Sequence, residues 1–256
     1  MMGAHDYILK KFDPIQLKEM NDVKLMNRTD TKFTFNLNRF EAVMEDVQKN
    51  YRILDIDGSR LCRYETLYYD TPAFHLYTQH HNAKLNRYKI RHRTYVESGL
   101  GFLEVKFKNN KGRTIKDRIK KPDVPYLWEK GDEEFLRTLL PFEPAILVPA
   151  LWVNYSRLTL VSNTNAERVT IDLNLEFVRK DQSKNLNQIV IAEVKQEKKK
   201  PSEFMKVMKK YHIAEGSISK YCLGVVYTCD QVKKNNFKSK LLSLKHKIHD
   251  DHFANS

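Results

Sequence analysis

Four stretches of this chain alternate apolar and ionic residues with a period of two, and that pattern limits what the chain can fold into more than anything else in it. In Gly101-Phe102-Leu103-Glu104-Val105-Lys106-Phe107-Lys108, one side of a strand takes Leu103, Val105 and Phe107 and the other takes Glu104, Lys106 and Lys108. In Arg87-Tyr88-Lys89-Ile90-Arg91-His92-Arg93 every second residue is cationic. The stretch from Arg168 to Phe177 keeps an apolar row at Val169, Ile171, Leu173, Leu175 and Phe177, and Ile191-Ala192-Glu193-Val194-Lys195 repeats the Glu-Val-Lys triplet of 104–106.

One such strand alone is an ordinary amphipathic strand with its charged face in water. Several side by side would set like charges next to one another on an exposed sheet, at a cost in stability for each adjacent pair. Turned inward, the same rows line a cationic bore, which survives only if a polyanion fills it. A sheet closed into a barrel of about eight strands leaves room for a slim ligand. Its apolar outer face must then be covered by helices. The sequence therefore predicts an α+β fold, a closed antiparallel β-barrel with helices packed outside and a phosphate chain as occupant.

Composition agrees with that occupant. At 256 residues, 41% of them hydrophobic, with 13 Phe and 13 Tyr, the chain can bury one substantial core. A formal net charge of +13 calls for an acidic partner: nucleic acid, an anionic membrane or a polyphosphorylated ligand. Cys62, Cys222 and Cys229 are too few and too scattered for a disulfide framework or a Cys-based zinc site, which fits a reducing compartment. The N-terminus lacks the basic start and apolar run of a secretion signal. The most apolar window, residues 139–155, is broken by Pro141, Glu143, Pro144 and Pro149. The chain is read as soluble and cytoplasmic.

Residues 13–27 place Ile15, Leu17 and Met20, then Val23, Leu25 and Met26, as in a short amphipathic helix. Residues 28–35 read as a first strand with Arg28, Asp30 and Lys32 on one side. Asn38 is set to cap a helix running to about residue 50. Residues 63–69 form an aromatic-rich strand stopped by Asp70-Thr71-Pro72. His75, His80 and His81 follow with no second ligand group at metal spacing, so they are not read as a metal site. Gly112 turns the chain between two basic strands, and the second adds Arg113, Lys116, Arg118, Lys120 and Lys121, some of which must face water.

Residues 132–140 are a short helix with an acidic start, and the proline-marked stretch 141–149 is the candidate boundary between halves. Residues 152–160 make a strand that puts Tyr155 and Arg157 on one face, Tyr155 reading equally as core packing or ligand contact. Residues 184–188 are a polar loop. A helix from Ser202 carries Phe204, Val207, Met208 and Tyr211, and Ser219 caps a last one through residue 227, a start suited to phosphate. Beyond Asp230 the chain is lysine-rich, with Phe237, Leu241, Leu244 and Ile248 at helical spacing, and docking or fraying is favoured over a membrane surface.

No Walker loop, Gly-x-Ser-x-Gly elbow or His-Glu-x-x-His motif is present. Tyr88, Tyr95 and Phe107 lie near Arg and Lys, as nucleic-acid binding would want, but that reading leaves the carboxylates unexplained. A carboxylate among cations in a phosphate site repels the ligand unless it holds a metal such as Mg²⁺ or Mn²⁺. Glu193 is the best candidate, whereas Glu104 and Asp172 are expected to pair with neighbouring Arg or Lys.

The run Arg28-x-Asp30-x-Lys32, Leu67-Tyr68-Tyr69-Asp70-Thr71-Pro72, Arg91-x-Arg93, Glu104-Val105-Lys106, Tyr155-x-Arg157, Arg168-Val169-Thr170-x-Asp172, Glu193-Val194-Lys195 and Ser219-Lys220-Tyr221 resembles the vacuolar transporter chaperone (VTC) domain. That family belongs to the triphosphate tunnel metalloenzymes, relatives of the CYTH proteins. The resemblance runs in order from about residue 25 to 225, and its specificity lies in the series rather than in any one triplet. It implies one tunnel domain over residues 1–229, followed by a lysine-rich tail over 230–256. It also implies polyphosphate synthesis, the ATP γ-phosphoryl group passing to a growing polyphosphate chain with Mn²⁺ or Mg²⁺.

Carried over by position, the resemblance gives phosphate contacts to Lys32, Arg91, Arg93, Lys106, Arg157, Arg168 and Lys220. Tyr155, Lys108, Lys195 and Ser219 would help bind substrate, and Glu193 would hold the metal. Asp30 stands where such proteins usually carry Glu, and Ser217 where another Lys is expected. The membrane spans and SPX domain of eukaryotic members are missing. ATP and polyphosphate are thus the expected partners, with a separate membrane protein placing the chain at the inner face of a membrane, and nucleic acid less favoured. The alternatives are a metal-dependent hydrolase of inorganic or nucleoside triphosphate on the same fold, and a non-catalytic module that binds polyphosphate or RNA.

Overall fold

Period-two alternation builds strands nearly everywhere the sequence shows it, and the computed structural model describes them through residues 5–20 and 28–249, with the backbone alone for 21–23. The first third of the chain forms α1 (Asp6–Lys10), β1 (Pro14–Gln16), β2 (Thr29–Asn36), α2 (Phe40–Val47), β3 (Tyr51–Asp55), β4 (Cys62–Asp70) and α3 (His75–His81). The middle forms β5 (Arg87–Tyr95), β6 (Leu100–Lys108), β7 (Thr114–Lys120), α4 (Lys130–Leu139) and β8 (Val148–Ser162). The remainder forms β9 (Glu167–Arg179), β10 (Gln182–Leu186), β11 (Ile189–Gln196), α5 (Glu203–Lys210), β12 (Glu215–Gly216), α6 (Lys220–Thr228) and α7 (Lys238–Ile248). The fold is α+β, with one large antiparallel sheet and, among the described residues, seven α-helices. None of these helices is long and apolar enough to cross a membrane.

The sheet has twelve strands, its main path running β12-β2-β11-β9-β8-β4-β5-β6-β7, with β3 beside β8 and β10 beside β9. β8 pairs with β4 before the 141–147 connection and with β9 after it, so the sheet is continuous across that connection. The expected closure into a barrel does not occur: among the described residues β7 and β12 do not pair. β12 pairs with β2 through two residues only, after which the chain leaves the sheet to start α6. The sheet is nevertheless strongly curled. β2 and β5 stand five places apart, about 24 Å if the sheet were flat. Yet Lys32 Nζ on β2 donates to Ile218 O (3.2 Å) and Lys89 Nζ on β5 donates to Ser219 Oγ (2.9 Å). One short peptide segment thus spans the open seam.

The outer face is covered as expected. Phe33, Phe35, Leu158, Leu160, Val169 and Ile171 pack against α1, α2 and α5. Leu67, Tyr69, Ile90, Leu103 and Val105 pack against Leu76 of α3 and Leu136 of α4. α6 breaks the rule that helices lie outside. Leu175 and Phe177 leave the outer row because Asn174 adopts a left-handed conformation (φ 53°) opposite a register shift in β8. They join Val153, Tyr155, Ile189 and Ile191 on the inner face, where α6 covers them. The five-residue apolar row predicted from 169 to 177 is therefore divided between two cores, and α6 plugs one end of the curled sheet.

Three local expectations also change. Within the described part of residues 13–27 there is no amphipathic α-helix: β1 pairs in parallel with β3, seating Ile15 in a small apolar cluster, and a 3-10 turn follows at Leu17–Val23. The Val23 side chain, Leu25 and Met26 lie outside the described residues. The cap ahead of α2 is Asn36, whose side chain accepts from Asn38 N, so Asn38 is inside a 3-10 turn. Residues 184–186 are strand β10 rather than loop, because backbone pairing with β9 does not require apolar side chains and only Leu186 is buried.

At Gly101 a Cβ would lie 2.2 Å from Lys121 O and 2.6 Å from Pro122 O, both backbone atoms. Lys121 N also donates to Gly101 O. Gly101→Ala is expected to separate the ends of β6 and β7 and cost about 1–3 kcal/mol. Urea unfolding of the variant beside the native chain measures it, and an unchanged midpoint contradicts the close approach.

Candidate functional site

All twelve residues selected from the sequence line one cavity of about 2360 Å³ inside the curl of the sheet. Strand alternation puts them there. Lys32 comes from β2, Glu193 and Lys195 from β11, Arg168 from β9, and Tyr155 and Arg157 from β8. Arg91 and Arg93 come from β5, Lys106 and Lys108 from β6, and Ser219 and Lys220 from the start of α6. Lys108 is exposed at the rim, whereas Arg93, Tyr155 and Lys195 are buried.

The two walls of this cavity handle charge differently. Along β2, β11, β9 and β8 opposite signs interleave: Lys32 faces Glu193, Lys195 faces Asp30, and Arg157 faces Asp172. Glu193 Oε2 accepts from Lys195 Nζ at 2.7 Å, with Lys32 Nζ at 3.7 Å from Oε1. Asp172 accepts from Arg157 Nε (2.5 Å) and Nη2 (2.8 Å), and from Lys220. Burial pushes both carboxyls up, but Lys195 and Lys32 beside Glu193, and Arg157 and Lys220 beside Asp172, hold them well below the usual carboxylate range. On β6, Glu104 is clamped by Arg91 and Lys116. Burial opposes its ionisation, yet these cations and Arg93 bring it down to about 2. Glu104 and Asp172 thus do what the sequence predicts.

The other wall has no such interleaving beyond Glu104. Arg87 stands directly across from Lys108, Lys89 from Lys106, and Lys106 in turn from Lys116 on β7. Burial pushes the Lys106 ammonium down to about 7, with Arg91, Lys89 and Lys32 adding to the effect. Burial likewise pushes Lys195 down to about 8 in spite of Glu193.

Tyrosines floor the site. Tyr64 and Tyr155 stack with centroids 5.2 Å apart, and Arg157 lies 5.1 and 5.2 Å over the two rings. Lys220 sits 4.7 Å over Tyr155, so that ring both packs the core and meets the cavity. Arg91 donates to Tyr68 OH at 3.2 Å. Ser219 Oγ accepts from Cys222 N as the cap of α6 while it accepts from Lys89. Arg168 lines the cavity, and its Nε is buried with no hydrogen-bond partner among the described residues.

Asp30, Asp172, Glu193 and Glu197 line the cavity, but Asp30, Asp172 and Glu193 are each already held by a cation. Among the described residues no three His, Cys, Asp or Glu side chains come together as a metal site. Glu193 already carries Lys195, so the donor set fits a metal that arrives on phosphate oxygens, not a resident ion. Sequence reasoning left out Arg87 and Lys89, although they continue the alternation of Arg91 and Arg93. It also left out Tyr64 and Tyr68, and Lys240 and Lys247 of α7, which line the same cavity. Only the docking of α7 reveals the last two.

Comparison with known proteins agrees with this geometry. The family model of the VTC domain matches residues 27–229. No protein of curated function matches the chain significantly in sequence. Among solved structures, a Hippeastrum protein named as a candidate adenylyl cyclase, with a dominant triphosphatase activity, is 11% identical with a TM-score of 0.50, covering 79% of this chain and 98% of that one. Candidate adenylate cyclases from Vibrio parahaemolyticus (12% identical, TM-score 0.47, 77% and 99% covered) and Bacillus halodurans (14%, 0.47, 76% and 96%) are also similar. At such identities the likeness is one of fold.

The ordinary value for Lys106 and Lys195 is 10.5, against about 7 and about 8 when folded. In the interval between, the unfolded chain binds protons that the folded chain has released, so stability rises with pH there. The thermal midpoint of the ligand-free protein is expected to climb from about pH 7 towards pH 10, and Lys106→Met should flatten the lower part of the climb. A midpoint that falls over this range, or an equally steep climb in the variant, would sink the assignment.

Proposed function

Because this chain belongs to the VTC domain family, whose fold is that of triphosphate tunnel enzymes, we propose that it is a polyphosphate polymerase. The observation that carries this reading is the row of facing ammonium groups Lys89, Lys106 and Lys116, joined in the same cavity by Arg91, Arg157 and Lys220. Lys116 and Arg91 share Glu104, and Arg157 and Lys220 share Asp172, but Lys89 and Lys106 face each other with no carboxylate of their own. Like charges held so cost stability, and a polyanion is the ligand that turns the cost into binding.

In the proposed reaction a terminal oxygen of the polyphosphate chain attacks the γ-phosphorus of ATP. The bond from that phosphorus to the bridging β,γ oxygen breaks, ADP leaves, and the chain is one phosphate longer. Phosphoryl transfer asks little covalent chemistry of the protein; alignment and neutralisation of the phosphate oxygens carry most of the catalysis. Arg91, Arg93 and Arg157 offer planar forks that match phosphate oxygens, and Lys106 and Lys220 offer point charge. Arg168, with its unpartnered Nε, would complete the clamp. Mn²⁺ or Mg²⁺, held by Glu193 together with phosphate oxygens, would supply further neutralisation there. Tyr64 and Tyr155 hold the Arg157 plane by stacking.

A second reading, hydrolysis of inorganic or nucleoside triphosphate, differs only in using water as acceptor. The triphosphatase activity of the Hippeastrum protein favours it. Incubation with ATP and Mn²⁺ or Mg²⁺, followed by a gel stained for polyphosphate, separates the two. A ladder of polymer is the expected result. Orthophosphate alone would transfer the conclusion to hydrolysis, and binding without either product would leave a non-catalytic polyphosphate module. Glu193→Gln should lower metal-dependent turnover at least roughly tenfold, the loss seen even for outer partners of a metal, while polyphosphate binding persists. Normal polymerisation by that variant would remove Glu193 from the metal.

A further inference from the structure

α7 closes part of the cavity with a face that none of the chemistry above uses. Lys240, Ser243, Leu244 and Lys247 are spaced i, i+3, i+4 and i+7, which puts them on one side of the helix. All four line the cavity, and Leu244 is buried. The helix is fastened to the opposite edge of the seam, where Asn36 of β2 donates to Lys247 O at 2.7 Å. Its lysines continue the unpaired wall. The His80 ring sits among Lys89, Arg87, Lys240 and Lys32, whose charges add to burial in pushing it down to about 2. So a lysine of α7 and the basic row of β5 act on one point in space.

No carboxylate pairs with Arg87, Lys89, Lys108, Lys240 or Lys247 among the described residues, whereas Arg157, Lys195 and Lys220 on the other side all hold one. The acidic side chains that line the cavity, Asp30, Asp172, Glu193 and Glu197, belong to β2, β9, β11 and the segment just after it. An anionic chain leaving the interleaved wall meets cations without a carboxylate ion pair at Lys108, Arg87 and α7, as it does at Arg93 and Arg118 towards the other end of β5. At the α7 end they come from both sides of the seam. Within α7 that face carries hydroxyl and ammonium groups, and the one ring beside it, Phe237 at the cap, is packed against Tyr77 and His81.

Resting on the polymerase reading, we propose that the Lys240–Ser243–Lys247 face of α7, with Arg87, Lys89 and Lys108, is a distal subsite that holds the length of a polyphosphate chain beyond the phosphates undergoing transfer. Lys240 and Lys247 are two helical turns apart, roughly 10 Å, so a triphosphate seated deeper in the cavity would not reach both.

The test compares Lys240→Glu/Lys247→Glu with the native chain for long-chain polyphosphate and for tripolyphosphate, by calorimetry at one fixed salt concentration, with Lys240→Gln/Lys247→Gln as the milder variant. Affinity for the long chain is expected to fall about tenfold or more in the charge reversal, by less in the Gln pair, and with a shallower salt dependence in both. Tripolyphosphate affinity should stay within about threefold. Equal losses for the two ligands, or no loss for either, would overturn the subsite while leaving the polymerase reading in place. If the native chain binds neither ligand, both fall together. Single-stranded RNA bound as tightly as long polyphosphate, and lost in the same variants, would overturn the choice of ligand. A thermal midpoint shared by all three proteins shows that the variants fold.

Discussion

The structure turns on ammonium groups made to face one another. Lys89, Lys106 and Lys116 occupy matching positions on three adjacent strands, and the Lys89–Lys106 pair, unlike Lys116 with its Glu104, has no carboxylate to offset a cost on the order of 0.2–1 kcal/mol. Nothing in the packing of the outer face asks for them: Ile90 and Val105, on the opposite side of the same strands, would bury equally well above neutral residues. The chain bears the cost and offsets it with core elsewhere, in Phe33, Phe35 and Val169 against α2 and α5. Such an arrangement makes sense for a protein whose stable state is the occupied one.

The curl and the open seam follow from the same constraint. Carrying Lys116 and Arg118, β7 is exposed along most of its length, and closing the sheet onto it would bring these cations toward Lys32 and Arg28 of β2, whose partner carboxylates Glu193 and Asp30 are already engaged. Instead the seam is spanned by backbone and hydroxyl: Ile218 O and Ser219 Oγ, neutral acceptors, meet Lys32 and Lys89. α6 then fills the inner face at one end with hydrocarbon. Its Gly224 is what permits the approach, since a Cβ there would lie 2.5 Å from Leu151 and 2.6 Å from Phe177. What remains of the interior is the cationic cavity.

Much of this is legible in the sequence because strand alternation is a local rule. Once Leu103, Val105 and Phe107 are taken as one face, Glu104 and Lys106 can only be the other, and the same reasoning brings residues of β2, β5, β8, β9 and β11 to a common interior. Features set by a single backbone torsion or by tertiary docking escape that rule. Asn174 looks like one more residue of an alternating strand, yet its left-handed conformation moves Leu175 and Phe177 to the inner face. β10 consists of polar residues whose pairing with β9 runs through the backbone. The lysines of α7 have helical spacing in the sequence, but which of them meet the cavity depends on Leu244 finding the core. Closure of the barrel is the expectation from turning the cationic rows inward, but a curled sheet with an open seam turns them inward as well.

The interleaved and unpaired walls imply an order of events for any anionic chain that enters. On the β8–β9–β11 side a phosphate must compete with Asp172 and Glu193 for cations already held at hydrogen-bond distance, so association there exchanges one partner for another and gains little until both oxygens and guanidinium are aligned. On the β5–β6 side Arg91 holds Glu104, but Lys89 and Lys106 have no carboxylate to give up. Lys106, lowered to about 7 by burial and its neighbours, has in addition a proton to gain as the anion arrives. Contact therefore begins where charge is uncompensated, and the exchange on the carboxylate side comes later, with the ligand already immobilised. On the polymerase reading, a site arranged this way would separate holding from aligning: the unpaired row would hold the length of the chain and the paired one would set the geometry of the reacting phosphates.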